Sequence, residues 1–304
     1  MVTSANARFQ QSGLRPRTTD LAAIGLAVGA FTLWVLADST IKVVGRSRLP
    51  AYEIVAFLGI FICGFLAAYA LAQHRIELLW PTQPRRQLVR SGLDLANNLC
   101  VVIALRHVSL TLFYILVFLA PMCITILAAV FLNEKIGWRK AAAVIAGFAG
   151  VVIAVNPLGT SRQGDWIGVA ACMVCVSCFS VNMVWSRVLT RTESPESLAF
   201  LSGIVMAVAG LMGMALHAES LNGQLFAGLF AMGAFCAAGS ICFFLALKHT
   251  SASNVSQYHY TQLITGALVS YVVWRELPTM WMLLGGAIIV ASGLYIAVLA
   301  SRSG

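Results

Sequence analysis

Residues 104–109 read Ala-Leu-Arg-His-Val-Ser, and residues 246–251 read Ala-Leu-Lys-His-Thr-Ser, at an offset of 142 residues. Further residues repeat at this offset or, later in each half, at an offset of 143. They are Cys100 with Cys242, Glu134 with Glu276, Trp138 with Trp281, and 150–155 with 293–298. The chain therefore contains two related halves, and this repeat decides its architecture.

The composition places both halves in a membrane. The chain has 304 residues, of which 60% are hydrophobic and 10% charged, with a formal net charge of +9. A soluble domain carries about 25% charged residues, and a disordered chain needs low hydropathy. The basic residues do not cluster as a nucleic-acid-binding patch would require. These properties exclude an ordinary soluble domain, disfavour nucleic acid as a partner, and predict a polytopic protein whose partner is the lipid bilayer.

Ten stretches approach the length of about 20 apolar residues that a membrane helix needs. The predicted spans are 21–43, 53–73, 90–106, 109–132, 141–157, 166–187, 198–216, 225–247, 251–274 and 279–300. Each half holds five spans, and because five is odd, the second half must be inverted relative to the first. Inverted repeats build many secondary transporters, with the substrate site near the bilayer midplane. We therefore predict an all-α membrane protein with ten transmembrane helices in a 5+5 inverted repeat. The alternative is a duplicated membrane protein that does not transport.

The basic residues also predict the orientation of the chain. With the N-terminus inside, 14 of the 20 Lys and Arg residues fall on the cytoplasmic side and six outside, as short cytoplasmic loops prefer. We expect a cytoplasmic tail over 1–18, a first repeat over 19–160 and a second over 161–300, in the inner or plasma membrane with both termini cytoplasmic. The tail lacks the short apolar core of a cleaved signal peptide.

Each half also follows the same order near its end: a span, then a glutamate, then a tryptophan, then a glycine-rich span. The first half has Glu134, Trp138 and Gly150, and the second has Glu276 and Trp281. With the segment 104–121, this pattern resembles the EamA family, the ten-helix branch of the drug/metabolite transporter superfamily, over about residues 20–300. The resemblance implies a transporter with a central cavity lined mainly by spans 1, 3, 4, 6, 8 and 9. It also implies substrates that range over amino acids, nucleosides, vitamins, cationic metabolites and drugs.

The chain departs from the family pattern at two positions. Leu263 stands where the first half has Pro121, so that only one half has this helix-kinking residue. Leu58 stands where many members have an arginine soon after the glutamate of span 2, here Glu53. We expect Glu53 itself to lie at the membrane interface.

Polar and aromatic residues in spans 1, 4 and 9 are the candidates for substrate contact. Span 9 is the most polar span, which is tolerable only where it faces protein or a water-filled cavity. The repeat aligns span 4 with span 9. The expected substrate-binding residues are Trp34, Tyr114, Phe118, Gln257, Tyr260 and Thr261. Aromatic rings stack on planar ligands or hold cations on their faces. The alternative is that these groups only pack against, or hydrogen-bond to, neighbouring helices.

Three further residues are candidates for coupling or gating. Asp38 and Lys42 lie four residues apart on one helix face, which allows proton coupling with Lys42 released as Asp38 is protonated. The alternative is a static ion pair with Lys42 reaching to the headgroups. His259 is either a proton carrier or a neutral, hydrogen-bonded interior residue. We interpret Glu276 and its repeat partner Glu134 as structural or gating residues.

The polar residues of span 3 leave two interpretations open. Asp94 lies four residues after Arg90, which predicts an ion pair between them. Asn97 and Asn98 reach deeper, and they suit either close packing or the lining of a cavity.

No sequence feature indicates a cofactor or a metal. Cys172, Cys175 and Cys178 follow a three-residue spacing, and thiolates bind soft metals, but no histidine accompanies them and small cysteines suit helix packing. The spacing of Gly25 and Gly29 fits close helix packing or a homodimer.

The chain is predicted not to be an enzyme. A membrane enzyme needs an acid/base or metal constellation, which the sequence lacks, and there is no phosphate-binding loop for ATP. We expect a secondary transporter that moves a small organic metabolite, an amino acid or related compound, by alternating access. The competing classes are a polytopic membrane enzyme and a non-transporting membrane sensor.

Overall fold

The computed structural model describes residues 18–47, 49–120, 122–123, 127, 138–156, 165–189, 192–249 and 258–302. In this part of the chain the secondary structure consists of helices without strands. The ten α-helices are α1 (Thr18–Gly45), α2 (Ala51–Ala72), α3 (Pro84–His107), α4 (Leu110–Val117), α5 (Trp138–Val155), α6 (Trp166–Leu189), α7 (Pro195–Leu216), α8 (Gly223–His249), α9 (Thr261–Trp274) and α10 (Met280–Arg302). Short 3-10 helices cover Ile76–Leu79 and Tyr258–Tyr260. Each helix falls on one of the ten predicted spans, so the predicted fold class is confirmed.

Among the described residues, five helices are long and apolar enough to cross a membrane. They contain Ile24–Gly45, Ala51–Ala72, Pro84–His107, Glu196–Leu216 and Gly223–Phe243. Shorter apolar runs occupy Ala141–Val155, Trp166–Asn182, Thr261–Trp274 and Met280–Tyr295. Together with the described part of α4, these runs account for all ten spans.

Helix α3, the most polar of the first five spans, begins six residues before its predicted boundary. Pro84 lies at the start of the helix, where its missing N–H is not needed. The backbone N–H groups of Thr82 and Gln83 donate hydrogen bonds to the Glu193 carboxylate, which comes from the loop before α7. A carboxylate is favourable at a helix N-terminus, so the polar start of α3 is anchored by protein contacts.

Counterpart helices, which hold equivalent positions in the two halves, pack against each other in opposite directions. In α2 and α7, Gly59 faces Gly203, while the Tyr52 hydroxyl at the start of α2 donates to the carbonyl of His217 at the end of α7, at 2.8 Å. A Cβ atom on Gly59 would collide with the backbone oxygen of Gly203. In α5 and α10, Gly150 and Gly285 approach equally closely. Antiparallel contact between counterparts is what an inverted repeat requires.

Helices at equivalent positions in the two halves also contact helices of the other half in equivalent ways. Helix α1 packs along α8, and its counterpart α6 packs along α3. Helix α1 also contacts α9, and α6 contacts α4. Helices α1, α3, α6 and α8 therefore lie together, with α4 and α9 in contact with each other beside them. The outward faces of α5 and α10 expose apolar side chains such as Ile145, Val152 and Leu284, as a lipid-facing surface requires.

Glu53, in the first turn of α2, is fully buried against protein. Its Oε1 accepts a hydrogen bond of 2.7 Å from the backbone N–H of Glu219, in the loop before α8. The sequence carries a signal for this role: Glu53 and Glu196 both stand three residues before the alanine of an Ala-Phe-Leu segment, and Glu196 is also buried. Buried glutamates at the starts of α2 and α7 are therefore a feature of both halves.

Candidate substrate and coupling site

Asp38 is the acidic residue nearest the middle of α1, and it faces α4. Its Oδ2 accepts a hydrogen bond of 2.6 Å from the Tyr114 hydroxyl. Among the described residues, no basic side chain forms an ion pair with Asp38. The predicted pairing of Asp38 with Lys42 is therefore wrong. A carboxylate without a cationic partner inside a membrane bundle is costly, which makes Asp38 the leading functional residue.

Lys42 pairs instead with Glu276, which follows α9. The Lys42 Nζ lies 3.1 Å from Oε2 of Glu276, and the Arg46 guanidinium lies 3.8 Å from Oε1. Ser270 donates to Oε2 at 3.1 Å, and Nζ also lies 4.8 Å above the ring of Trp274. These five residues form a cluster, the α1–α9 ionic cluster, that joins the two halves of the chain.

The turn after α9 explains why Lys42 pairs with Glu276 and not with Asp38. Helix α9 ends at Trp274, and the capping residue Arg275 adopts a left-handed conformation with φ 57°. The N–H of Glu276 bonds back to the Ser270 carbonyl, and this turn directs the Glu276 side chain at the end of α1. The Lys42 side chain is only 4% exposed, so the alternative in which it reaches to the headgroups is wrong too.

Helices α3 and α8 pack against α1, the helix that carries Asp38, and α6 packs against α3. Asn97 on α3 accepts a hydrogen bond from the Cys175 thiol on α6, at 3.1 Å. Residues 93–100 on α3 are all half-buried, over two full turns. The neighbouring helices therefore do not fully enclose any face of this stretch.

Trp34 lies one helical turn before Asp38 on the same face of α1. Its ring lies over Gly239 of α8, where a Cβ atom would come within 2.7 Å of the indole. The ring also meets Phe31 edge-on at 5.6 Å and Phe243 at 5.3 Å between centroids. Trp34 is half-buried, so it packs against α8 and part of its surface stays exposed.

Tyr114, Phe118 and Tyr260 form an aromatic seam between α4 and α9. Phe118 and Tyr260 stack with centroids 5.2 Å apart and planes at 17°. The Tyr114 ring lies against Gly266 of α9. Tyr114 and Phe118 are buried, whereas Tyr260 is half-buried. The structure therefore brings these three predicted residues together, in contact with each other.

The other predicted residues of span 9 are less informative. The Thr261 hydroxyl donates to the Tyr258 carbonyl at 2.6 Å, which closes the 3-10 turn that precedes α9. Gln257 and the side chain of His259 lie outside the described residues. Gln262, which the sequence did not single out, is buried and directs its amide at the Phe31 carbonyl of α1 at 3.4 Å.

Arg90 forms a second polar network toward the opposite end of the bundle from Lys42. The guanidinium donates to the Leu198 carbonyl and Ser202 hydroxyl, both at 2.8 Å, and to Asn182 at 3.0 Å. It lies 3.8 Å from the carboxylate of Asp94, so the predicted ion pair is confirmed. Asn182 also donates to Asp94, at 3.0 Å. The neutral partners of Arg90 come from α6 and α7, so the spacing of residues within α3 does not predict them.

Comparison with protein families gives one match across the chain. The profile described as the EamA-like transporter family matches residues 21–156 and 166–298. The two matched segments correspond to the two related halves, as the resemblance in the sequence implied.

Several relatives carry names that state what they move. An S-adenosylmethionine uptake transporter of Rickettsia bellii is 27% identical over 89% of this chain and 93% of the relative. A riboflavin transporter of Rhizobium johnstonii is 25% identical over 84% and 83%. The pseudopaline exporter CntI of Pseudomonas aeruginosa is 23% identical over 86% and 93%. All three names describe transport of a small metabolite, in different directions and for different substrates.

A solved structure supports the fold. It superposes with a TM-score of 0.64 at 20% identity, and the match covers 93% of this chain and 98% of the other. At that identity the likeness concerns the fold alone.

Proposed function

This chain belongs to the EamA-like transporter family, and from that premise we propose that it carries an amino-acid-derived metabolite across the membrane by alternating access. It is a multi-pass membrane transporter and not an enzyme, as the family and its relatives show. The proposal concerns the substrate class, the mechanism and the residues that carry them.

The observation that carries the proposal is Asp38, which accepts one hydrogen bond from the described residues, that of Tyr114. An unpaired carboxylate inside the membrane is stabilised when a cation approaches it. Two cations are available to a transporter: the substrate itself and a proton. Asp38 therefore binds a positively charged part of the substrate, and it takes up a proton when the substrate leaves.

The surroundings of Asp38 favour a substrate that also has a planar part. Trp34 lies one helical turn from Asp38 and is partly exposed, and an aromatic ring can stack on a planar group or hold a cation. S-adenosylmethionine, which the Rickettsia relatives are named for, combines an amino acid, a sulfonium cation and an adenine ring. This combination matches an aromatic face next to a carboxylate, so it is the first compound to test.

Alternating access assigns a role to the α1–α9 ionic cluster. With both termini cytoplasmic and the repeats at 19–160 and 161–300, Lys42 and Glu276 lie at the outer end of the bundle. Their ion pair and the aromatic seam hold α1 and α4 of the first half against α9 of the second. Opening toward the outside requires the ion pair to separate, so Lys42 and Glu276 gate the outer side.

A thermal-shift screen tests the proposed substrate class. The purified protein in detergent is heated with S-adenosylmethionine, riboflavin, single amino acids and a neutral sugar as control. A bound ligand raises the melting temperature as its concentration exceeds Kd. We expect S-adenosylmethionine to raise it, and Asp38→Asn to remove the rise. Stabilisation by riboflavin alone, undiminished in Asp38→Asn, would contradict the proposal.

A further inference from the structure

A groove runs along the surface between α5 and α10, and it begins at the end of α5 that carries Trp138. Its volume is about 340 Å³, and four alanines line it: Ala142, Ala143, Ala146 and Ala291. The three on α5 lie within four residues of each other at spacings that share one helix face. All the lining residues belong to α5 and α10, so the groove is separate from the candidate substrate site on α1, α4 and α9.

Arg139 supplies a positive charge at the entrance to the groove. Its guanidinium lies 5.7 Å from the centroid of the Trp138 ring, and both side chains are exposed. No acidic side chain in the described part of the chain forms an ion pair with Arg139. Helices α5 and α10 also contain no Asp or Glu. The charge is therefore available to an anion from outside the protein.

Ser292 of α10 supplies a second polar group in the groove. It is only 7% exposed, yet its hydroxyl forms no hydrogen bond with the residues that the structure describes. On other helices, Ser39, Ser180 and Thr265 each donate to the carbonyl four residues earlier. A polar group without a partner is costly in a membrane. This buried hydroxyl therefore points to an acceptor on a ligand in the groove.

Arg139 and Ser292 lie at different depths along the groove. Gly150 of α5 contacts Gly285 of α10, and the two helices run in opposite directions. This contact places Ser292 level with residues 142–146 of α5, about one to two helical turns beyond Arg139. A ligand that reaches both must carry a negative group near the membrane surface and a hydrogen-bond acceptor deeper in the membrane.

The second half of the repeat lacks these two polar groups. At the offset of 143 that relates Trp138 to Trp281, Arg139 corresponds to Met282, and Ser292 corresponds to Ala149. Ala146 corresponds to the larger residue Ile289. The fold therefore requires neither the base nor the hydroxyl at these positions, which favours a binding role on one side of the membrane.

We propose that this groove binds an anionic phospholipid, with its phosphate at Arg139, a glycerol ester carbonyl at Ser292 and an acyl chain along the alanines. A phospholipid presents these three groups in this order from the membrane surface inward. In the predicted orientation α5 begins on the cytoplasmic side, where basic pockets between transmembrane helices bind anionic head groups. The inference concerns the surrounding lipid and does not depend on the proposed substrate.

A second copy of the chain fits the groove less well than a lipid does. Homodimers are usually two-fold symmetric, so that the same patch of both copies meets itself. Such an interface would bring two copies of Arg139 together, and like charges at an interface are unfavourable.

Native mass spectrometry of the delipidated full-length protein in detergent tests the head-group assignment. Phosphatidylglycerol and phosphatidylcholine with identical acyl chains are titrated into wild type, Arg139→Gln and Arg75→Gln. Arg75, between α2 and α3, is exposed and serves as the matched loss of charge. We expect wild type to bind phosphatidylglycerol about fivefold more tightly, as one basic residue near a membrane surface provides. Arg139→Gln should lose this preference, and Arg75→Gln should keep it.

Three further variants test the deeper part of the groove. Ser292→Ala should weaken both lipids about threefold to tenfold, as the loss of one hydrogen bond does, and should keep the preference for phosphatidylglycerol. Ala142→Leu should weaken both lipids at least about tenfold, because leucine fills the space of the acyl chain. Ala149→Leu is its control, since Ala149 is an exposed residue of α5 that does not line the groove.

Each contrary result overturns a stated part of the inference. Equal affinity of wild type for the two lipids, or a preference that survives in Arg139→Gln, would overturn the head-group site. Equal lipid binding by Ala142→Leu and Ala149→Leu would show that the lipid binds elsewhere. A wild-type dimer that is lost in Ala142→Leu, with lipid binding unchanged, would assign the groove to a second copy of the chain.

Discussion

At the scale of single residues, the central interaction is the hydrogen bond that the Tyr114 hydroxyl donates to the Asp38 carboxylate. Tyr114 contributes a hydroxyl to the carboxylate and a ring to the contact with Gly266. These two roles belong to different atoms, so a conservative substitution separates them.

Tyr114→Phe keeps the ring and removes the hydroxyl that donates to Asp38. Leaving a buried carboxylate without its hydrogen bond costs about 1–3 kcal/mol, so we expect a lower melting temperature in detergent. Because the hydroxyl acts through the carboxylate, the double variant Tyr114→Phe/Asp38→Asn should have a melting temperature only slightly below that of Asp38→Asn alone. Additive losses in the double variant would show that the hydroxyl acts independently of Asp38.

The residue scale is also where sequence reasoning was least complete. Spacing within α1 predicted that Lys42 pairs with Asp38. The observed partner of Lys42 is Glu276, which lies 234 residues away along the chain. This pairing depends on the left-handed turn at Arg275. Arg90 and Asp94 were predicted as a pair because both lie on α3. The neutral acceptors of Arg90 come from other helices, and a single sequence does not show which helices meet. The hydrogen bond between the Tyr114 hydroxyl and the Asp38 carboxylate could not be predicted for the same reason.

At the scale of helices, contact between counterparts depends on glycines that allow two backbones to touch. Helix α2 offers a matched pair of positions, because a Cβ on Gly59 would collide with the backbone of α7, whereas a Cβ on Gly64 would meet nothing within 4 Å. The two positions differ in packing and share the same helix.

We expect Gly59→Ala to lower the free energy of unfolding by about 1–3 kcal/mol, since the two helices must move apart. Gly64→Ala should be neutral or stabilising by up to about 1 kcal/mol, because alanine favours the helix. Thermal unfolding of both variants in the same detergent measures the difference. Equal effects at the two positions would mean that α2 and α7 do not pack in this way.

The α1–α9 ionic cluster predicts a charge-swap pattern. Lys42→Glu places two acids together, and Glu276→Lys places a second lysine against Lys42 and Arg46. Each single change should reduce uptake into proteoliposomes at least about tenfold, since it places like charges together where Lys42 is buried. The double variant restores opposite charges and should regain most of the lost uptake. If uptake by the double variant were no higher than uptake by either single variant, the ion pair would be excluded as a gate.

At the scale of the whole molecule, the sequence predicted the architecture well. Ten spans in two halves followed from the repeat between residues 104–109 and 246–251 and from the odd number of spans in each half, and the helices confirm it. This succeeded because the bilayer restricts the chain to helices of about 20 residues. Side-chain partners have no comparable restriction, which is why the architecture was predictable and the interior network was not.

The charge distribution predicts that both termini face the cytoplasm. A single cysteine placed in a cysteine-free background reports which side of the membrane a residue occupies, through labelling by a membrane-impermeant maleimide on intact cells. We expect a cysteine at Leu221, between α7 and α8, to be labelled from outside, and one at Arg85, at the start of α3, to be labelled only after permeabilisation. The reverse pattern would place the α1–α9 ionic cluster on the cytoplasmic side.

The most direct test of the account is the flux of labelled S-adenosylmethionine in proteoliposomes, with and without an imposed pH gradient. Wild type, Asp38→Asn and Asp165→Asn are compared at equal protein content. Asp165→Asn is the control, because it loses an exposed carboxylate that contacts His107. The account predicts that the gradient changes flux through wild type and Asp165→Asn, and that Asp38→Asn shows strongly reduced flux that no longer responds to the gradient. If Asp38→Asn transported at the wild-type rate and responded to the gradient as wild type does, the proposed role of Asp38 would be contradicted.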